Sequence, residues 1–284
     1  MPSADSLTSP AEAQRSSEDL NRSDACDVLS HNQSNESAEN ANMTPAGVPK
    51  VTTTQTITLS VFRFEGTFSR LWAFSQMGLA RRRLRSIPGI GFLKLFGSGS
   101  GASFNPRPNF GVYAVFAAWP SLEHAQKHIA ESTIFDAYRQ KSAENCTLYL
   151  RAYQASGRWD GAQPFEVQKR ATPPHPFAVL TRATVRPRKL RQFWSSVPDV
   201  SDALCDQGQA LFWLGLGEIP LMHQVTLSIW PDVESMNDFA YRSGFHREAI
   251  RKAKSGAWFS EDLFARFAIL ASEGRFMGKP LTYG

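Results

Sequence analysis

The sequence predicts an α+β chain in which two ferredoxin-like split βαβ units are duplicated and close together as an α/β barrel. Three observations lead there. Trp119-Pro120-Ser121-Leu122-Glu123 ends an apolar run and opens a helical pattern, and Trp230-Pro231-Asp232-Val233-Glu234 does the same again. A period this long suggests a duplicated module of domain-half size rather than a solenoid. Each copy can also be read in the order β-α-β-β-α-β. Between the copies, residues 154–175 hold Gly157, Gly161 and a Pro173-Pro174-His175-Pro176 cluster, the composition of a stiff connector.

Residues 1–50 stand apart from both copies. They are rich in Ser, Asn, Glu and Ala and poor in aromatic and β-branched residues, so they cannot bury enough apolar surface to offset chain entropy. Eight acids face three bases there, which leaves the rest of the chain more basic than the overall net charge of +5. The expected organisation is a disordered tail over 1–50, a first half over 51–153, the connector over 154–175, and a second half over 176–284.

In the first half, TITLSVFRF (56–64) alternates and is β-branched, so it reads as a strand ended by Gly66. Residues 68–84 read as a helix with Phe68, Leu71, Trp72, Phe74 and Met77 dense on one side, broken by Pro88-Gly89. GFLKLFG (91–97) is a short strand and FGVYAVFAAW (110–119) a long buried one. A helix from about Ser121, a second near Phe135, and the strand NCTLYLRAY (145–153) complete the unit. The second half repeats this with strands at 176–185, 210–217 and 223–230, and a helix after Pro187. Further helices lie near Val233 and Phe245, and EDLFARFAIL (261–270) closes it as strand or helix. Sheets packed face to face in this way would leave a cavity between the halves.

Several function classes drop out. Cys26, Cys146 and Cys205 are too few and too widely spaced for a disulfide framework or a C-x-x-C knuckle. No apolar core follows a basic start, as a signal peptide requires, and no stretch approaches the roughly 20 apolar residues needed to span a bilayer. A cytoplasmic protein is expected. The basic runs Arg81-Arg82-Arg83 with Arg85, and Arg186, Arg188, Lys189 and Arg191, suit a solvated face or peripheral contact with an anionic membrane surface. No nucleic-acid-binding pattern accompanies them. There is no phosphate-cradling G-x-x-x-x-G-K loop, no H-E-x-x-H and no G-x-S-x-G elbow. Gly97-Ser98-Gly99-Ser100-Gly101 lacks the spacing of a dinucleotide fingerprint and reads as a flexible connection.

Two histidine patterns remain. His124 and His128 have the i, i+4 spacing of metal ligands, but Leu122, Ala125 and Ile129 define the buried face and the histidines point away from it. His246 differs. On a helical wheel with Phe245 at 0°, it falls near 100°, between Ala249 at about 40° and Ile250 at about 140°. An imidazole on an apolar face suits either a hydrogen-bonded core histidine or an axial ligand to iron. When Phe135-Asp136-Ala137 is set against Phe245-His246-Arg247, the first copy has Asp136 where the second has this histidine.

The strings TLSVFRFEG, LWAFSQMGLAR, PGIGFLKLFGSGSG, NPRPNFGVYAVFAAWP, FAVLTRATVRP, GLGEIPLMHQVTLSIWPD and GFHREAIR resemble the spheroidene monooxygenase family, the acyclic carotenoid 2-ketolases. The resemblance runs from about Thr56 to Met277. It implies a dimeric-type α/β barrel, haem b with its iron, dioxygen, and reduced ferredoxin as electron donor. The implied reaction is successive hydroxylation at C-2 of spheroidene-type carotenoids, the geminal diol losing water to leave a 2-ketone. It also makes His246 the proximal iron ligand, with His223 the rival, and Arg107 and Arg182 the partners of the haem propionates. Trp72, Phe74 and Met77, with Trp213 and Trp230, would line an apolar slot for the polyene, and Ser60 and Arg63 are distal candidates. The competing functions are another haem reaction on the same barrel, such as aldoxime dehydration or haem degradation, and a non-catalytic binding protein for an apolar or tetrapyrrole ligand.

Overall fold

A computed structural model of the chain describes residues 54–99, 107–195, 197, 209–242, 251 and 255–281. The first half comprises β1 (Thr56–Arg63), α1 (Thr67–Arg85), β2 (Leu93–Gly99), β3 (Pro108–Trp119), α2 (Leu122–Glu131), α3 (Thr133–Lys141) and β4 (Glu144–Gly157). The second contains β5 (Phe177–Val185), a 3-10 turn at Pro187–Lys189 leading into helical residues 190–195, β6 (Phe212–Gly217) and β7 (His223–Trp230). It continues with α4 (Val233–Asn237), a π turn at Asp238–Arg242, β8 (Phe259–Phe276) and the short β9 (Lys279–Pro280). The segment left open between strand and helix is a strand: β8 alternates buried Leu263, Ala265 and Phe267 with less buried neighbours. Tail residues 1–50 and the helix expected near Phe245 lie outside the described residues, as do Cys26 and Cys205.

The strands are antiparallel and run β4-β1-β3-β2-β6-β7-β5-β8, with β4 pairing β8 to close the ring. Each half contributes its four strands in the same internal order, which bears out the duplicated split βαβ reading. The two seams differ. β2 meets β6 only at Gly97↔Gly217 and Ser98↔Leu216, whereas β4 and β8 pair from Cys146↔Gly274 to Gly157↔Leu263.

Period-two alternation sends Ile57, Leu59 and Val61 of β1 inward to meet Phe96, Phe116, Leu148, Leu180, Leu227 and Phe267 from the other strands. The expected open cavity between the halves is not what these residues build. Trp159, from the connector, enters the ring and stacks on Phe116 at 5.6 Å, with Phe96 and Phe92 at 6.0 and 5.1 Å. Side chains of both halves and the connector fill the interior, as in other small barrels.

The burial of α1 also departs from expectation. Its inner face is Ala73, Gln76, Ala80 and Leu84, while Phe68, Leu71 and Phe74 point outward. The sheet beneath already carries Phe62, Phe64 and Tyr113, so only small or slender side chains fit against it. α2 is conventional: Ser121 caps it by accepting from the His124 amide at 3.2 Å, and Ala125 and Ile129 are buried. His124 and His128 lie on its other side, half-buried rather than solvated; His128 stacks on Trp119 and the His124 ring meets the Pro88 carbonyl.

Candidate functional site

The outward face of each half-sheet is where the copies part company. Register defines the equivalences: Thr56 lies opposite Trp119, and Phe177 opposite Trp230. Moving along the strands, Ser60, Phe62 and Phe64 correspond to Thr181, Ala183 and Val185. Val115 and Tyr113 correspond to Thr226 and Gln224, and Leu95 to Gly215.

The first face is filled by its own chain. Phe62, Phe64, Tyr113, Trp72 and Tyr138 form one aromatic cluster, with centroids 4.8 Å apart for Phe62 and Tyr138 and 5.2 Å for Trp72 and Tyr138. Burial pushes the Tyr138 phenol far above its usual pKa, with a smaller contribution from Tyr113. Beneath it Ser60 and Thr147 share a hydrogen bond at 2.8 Å and Trp119 Nε1 donates to Thr58 Oγ1 at 2.9 Å, while the Tyr113 and Tyr149 hydroxyls are buried without a partner among the described residues. This face has little room for a large ligand.

On the second face, Ala183, Gln224 and Gly215 replace two large aromatics and a leucine. Thr181 is exposed and Ala183, Gly215, Gln224, Thr226 and Phe264 are half-buried, whereas Ser60, Phe62, Val115, Tyr113 and Leu95 in the first half are all buried. A smaller apolar cluster survives toward the Trp-Pro end, where Phe177, Val179, Trp230, Met236 and Phe239 pack together. The Trp230 ring lies 5.4 Å from Phe239 and donates to Ser228 Oγ at 2.8 Å. α4 starts as α2 does, with Asp232 accepting from the Ser235 amide at 2.7 Å.

Cationic and phenolic groups border this face. Arg266 of β8 occupies the position of Tyr149 in the first half, opposite Val179, and its guanidinium lies 5.5 Å from the Phe264 ring. The Nε atoms of Arg266 and Arg151, and the Tyr153 hydroxyl, are buried without a hydrogen-bond partner among the described residues. Burial pushes the Tyr153 phenol up to about 12, with Arg266 pulling the other way. Here, unlike the first face where only hydroxyls are left without partners, the unpartnered groups include two guanidinium nitrogens, which an anionic group would satisfy. Sequence reasoning passed over Arg151 and Arg266. The signal was there: each is a lone cation in an apolar strand, LYLRAY and LFARFA.

A second polar assembly closes one end of the barrel. The turn Trp159–Ala162, with Asp160 at φ 55° and Gly161 at φ 80°, brings Asp160 to Lys94 Nζ at 2.5 Å. Lys94 also pairs with Glu218 at 2.5 Å, and Glu261 accepts from the Asp160 and Gly161 amides. Arg182 is buried here in an ion pair with Glu261, its other nitrogen 3.8 Å from Asp160, and its guanidinium over Trp159. Arg182 therefore pairs with protein acids inside the barrel. His223 belongs to the same end, its Nδ1 3.7 Å from Glu218. It alternates with Gln224 and Thr226, so it faces away from the open outer surface.

The remaining expected residues are dispersed. Arg107 is exposed just before β3 in the first half. Trp72 and Met77 pack on the first-half core and Phe74 is exposed against Phe110, so the three do not line one slot. Trp213 and Trp230 do lie on the second face. Ser60 is committed to Thr147, and Arg63 to Glu144 and Glu65, which removes both as distal groups. His246 lies outside the described residues. Asp136 sits on α3, accepting from Gln140 at 2.7 Å and half exposed. Among the described residues no three His, Cys, Asp or Glu side chains gather as a metal site.

No family model matches the chain. It is 44% identical over 223 residues to the spheroidene monooxygenase of Rhodobacter capsulatus, covering 78% of this chain and 92% of that protein. It is 42% identical to the spheroidene monooxygenase of Cereibacter sphaeroides, covering 79% and 70%. Among solved structures, an aldoxime dehydratase shares the fold at a TM-score of 0.52 and 12% identity, covering 78% of this chain and 83% of that one.

Proposed function

The chain belongs to the spheroidene monooxygenase family, and on that premise we propose that it is a carotenoid monooxygenase whose haem lies on the outer face of the second half-sheet. The coarse activity, a monooxygenase acting on carotenoids, follows the family. The finer reading is two successive hydroxylations at C-2 of an acyclic, spheroidene-type carotenoid, the geminal diol losing water to the 2-ketone, with reduced ferredoxin as donor.

One observation carries the assignment: among the described residues, the strands of the second face carry Ala183, Val185 and Gln224 at the positions where the first carries Phe62, Phe64 and Tyr113. The residues present fit a flat, apolar, dianionic group. Gly215, Ala183, Thr181 and Thr226 offer a low surface, and Trp213 and Phe264 apolar edges. Arg151 and Arg266 make no ion pair among the described residues, whereas Arg182 pairs with Glu261 and Arg107 lies in the first half, so the former two are better suited to hold propionates. Haem, when bound, supplies the dioxygen and one-electron chemistry, and the chain supplies orientation, exclusion of water and the iron ligand.

His246 is the residue we assign to the iron. Asp136 need not be its counterpart. At the spacing that relates Trp119 to Trp230 and the cap Ser121 to Asp232, the first-half match of His246 is Phe135, which is buried against its own sheet. An imidazole in that place would face the open surface, while His223 stays on the opposite side beside Glu218. The polyene would approach along the apolar stretch from Phe264 to Trp213, so that a C–H bond near its end meets the haem and the rest stays in contact with apolar side chains.

The test is spectroscopic and then chemical. Purified protein supplied with haem should give a Soret band and a ferrous–CO spectrum, and His246→Ala should lose the latter. No Soret band removes the haem reading, and an unchanged spectrum in the variant moves the ligand elsewhere. Expression in a host that accumulates spheroidene should yield a 2-keto pigment; unchanged pigment with haem bound would favour a different haem reaction.

A further inference from the structure

Helix α1 is apolar on two faces and covered on one. Ala73, Gln76, Ala80 and Leu84 are buried, while Phe68, Leu71, Phe74 and Leu79 stand outward with 90%, 64%, 53% and 68% of their surface exposed. Phe110 extends this row, its ring 5.8 Å from Phe74. At about 1.5 Å per residue the row from Phe68 to Leu79 spans roughly 16 Å. A contiguous exposed apolar row of this kind, on a helix whose other face is already packed, marks a docking surface.

The last turns of the same helix supply charge of one sign. Arg81, Arg82, Arg83 and Arg85 are exposed, the helix contains no acidic residue, and none of the ion pairs among the described residues involves these four. At about 100° per residue, Arg81, Arg82 and Arg85 share the outward arc of Leu71 and Phe74.

We propose that the outward face of α1 docks on an anionic lipid bilayer, Phe68, Leu71, Phe74 and Leu79 entering the acyl boundary and Arg81, Arg82 and Arg85 meeting headgroup phosphates. Charge complementarity selects this occupant. A second copy would bring another arginine-rich helix with no acid to neutralise either, whereas a bilayer offers hydrocarbon and anionic phosphate at the two depths the helix presents. The inference is strengthened by the carotenoid reading of the preceding section and to that extent rests on it, because an acyclic polyene dissolves in the acyl layer and docking would bring the enzyme to its substrate.

The full chain should co-sediment with vesicles of phosphatidylglycerol and phosphatidylcholine at low salt, and much less with phosphatidylcholine alone. Phe68→Ser combined with Leu71→Ser and Leu79→Ser should cut partitioning at least about tenfold. Arg81→Gln, Arg82→Gln and Arg85→Gln should each cut it about fivefold and together remove its salt dependence. These side chains are exposed, so an unchanged melting temperature verifies the fold of each variant. Equal vesicle binding by the serine variant overturns the proposal. So does a wild-type dimer in sedimentation velocity that the serine variant converts to monomer without any vesicle binding by the wild type. Vesicle binding requires neither haem nor turnover, so its failure and that of the pigment assay are distinguishable.

Discussion

The two outer faces of this barrel are built on the same strand order and register, yet among the described residues one is filled by aromatic side chains and the other is not. In the first half, Phe62, Phe64, Tyr113, Trp72 and Tyr138 occupy the space between sheet and helices. In the second, Ala183, Val185 and Gln224 stand where the first three would be, and Thr181 is exposed. A face that fills itself contributes to stability through burial, at about 1.5–3 kcal/mol for each large side chain. A face that leaves space gives up that contribution and recovers it only when a ligand binds the folded state. On the proposed reading, duplication separates two tasks that conflict on one surface.

The sharpest way to break the comparison is to make the second face like the first. Ala183→Phe with Gln224→Tyr restores the first-half aromatics at equivalent register. The expected result is a loss of haem affinity of at least about 100-fold, on the order of 2.7 kcal/mol, in a protein that still melts cooperatively. Undiminished haem uptake in this double variant, measured by titration at the Soret band, would place the cofactor elsewhere.

The converse substitution, Phe62→Ala, opens the closed face. Removing a ring that is 2% exposed should cost about 3–5 kcal/mol in urea unfolding, by lost transfer energy and the cavity left behind. The haem spectrum per folded molecule should not change. A spectral shift with little loss of stability would reverse the roles assigned to the two faces.

The barrel was legible because its strands are β-branched or apolar runs of strand length and because the Trp-Pro boundary recurs; β1, β3, β5 and β7 all fall close to their expected ranges. α1 was misjudged for a physical reason: with apolar residues on both faces, periodicity alone cannot say which face the sheet will take. The choice fell to the side that presents Ala73 and Ala80, because Phe62 and Tyr113 had already claimed the volume. The fate of Arg182 was equally hidden. Its partners Glu261 and Asp160 are remote in sequence, and the turn that delivers Asp160 and Trp159 lies in a connector with no regular pattern to read. For the candidate site, sequence pointed to Trp213 and Trp230, which lie on the second face, and to His246, which lies outside the described residues, but openness is a property of pairs across strands. It emerges only once register sets Ala183 against Phe62 and Gln224 against Tyr113.

The plug that joins the halves yields the smallest predicted effect and a check on whether the halves act together. It is assembled from Lys94 of the first half, Arg182, Glu218 and Glu261 of the second, and Asp160 of the connector. Burial alone would raise the Asp160 carboxyl, but the hydrogen bond and charge of Lys94, followed by Arg182 and His223, outweigh it and hold its pKa below the usual range. Glu261 is lowered likewise: burial opposes, and the Gly161 and Asp160 amides and Arg182 prevail. A carboxylate depressed in the folded state contributes stability above its unfolded pKa of about 4, and that contribution fades as pH falls through the lower folded value. Asp160 is 56% exposed, so solvent screening keeps its share small, under about 1 kcal/mol. Asp160→Asn should therefore lower the melting temperature slightly at neutral pH, and its curve should converge with that of the wild type as pH falls below about 4. Because the network ties both halves to the connector, the acid transition should be single when followed by fluorescence and by far-UV circular dichroism. Curves that stay parallel down to low pH would show that the charges of the plug add nothing to stability, leaving the stacking of Trp159 on Phe116 to close the barrel.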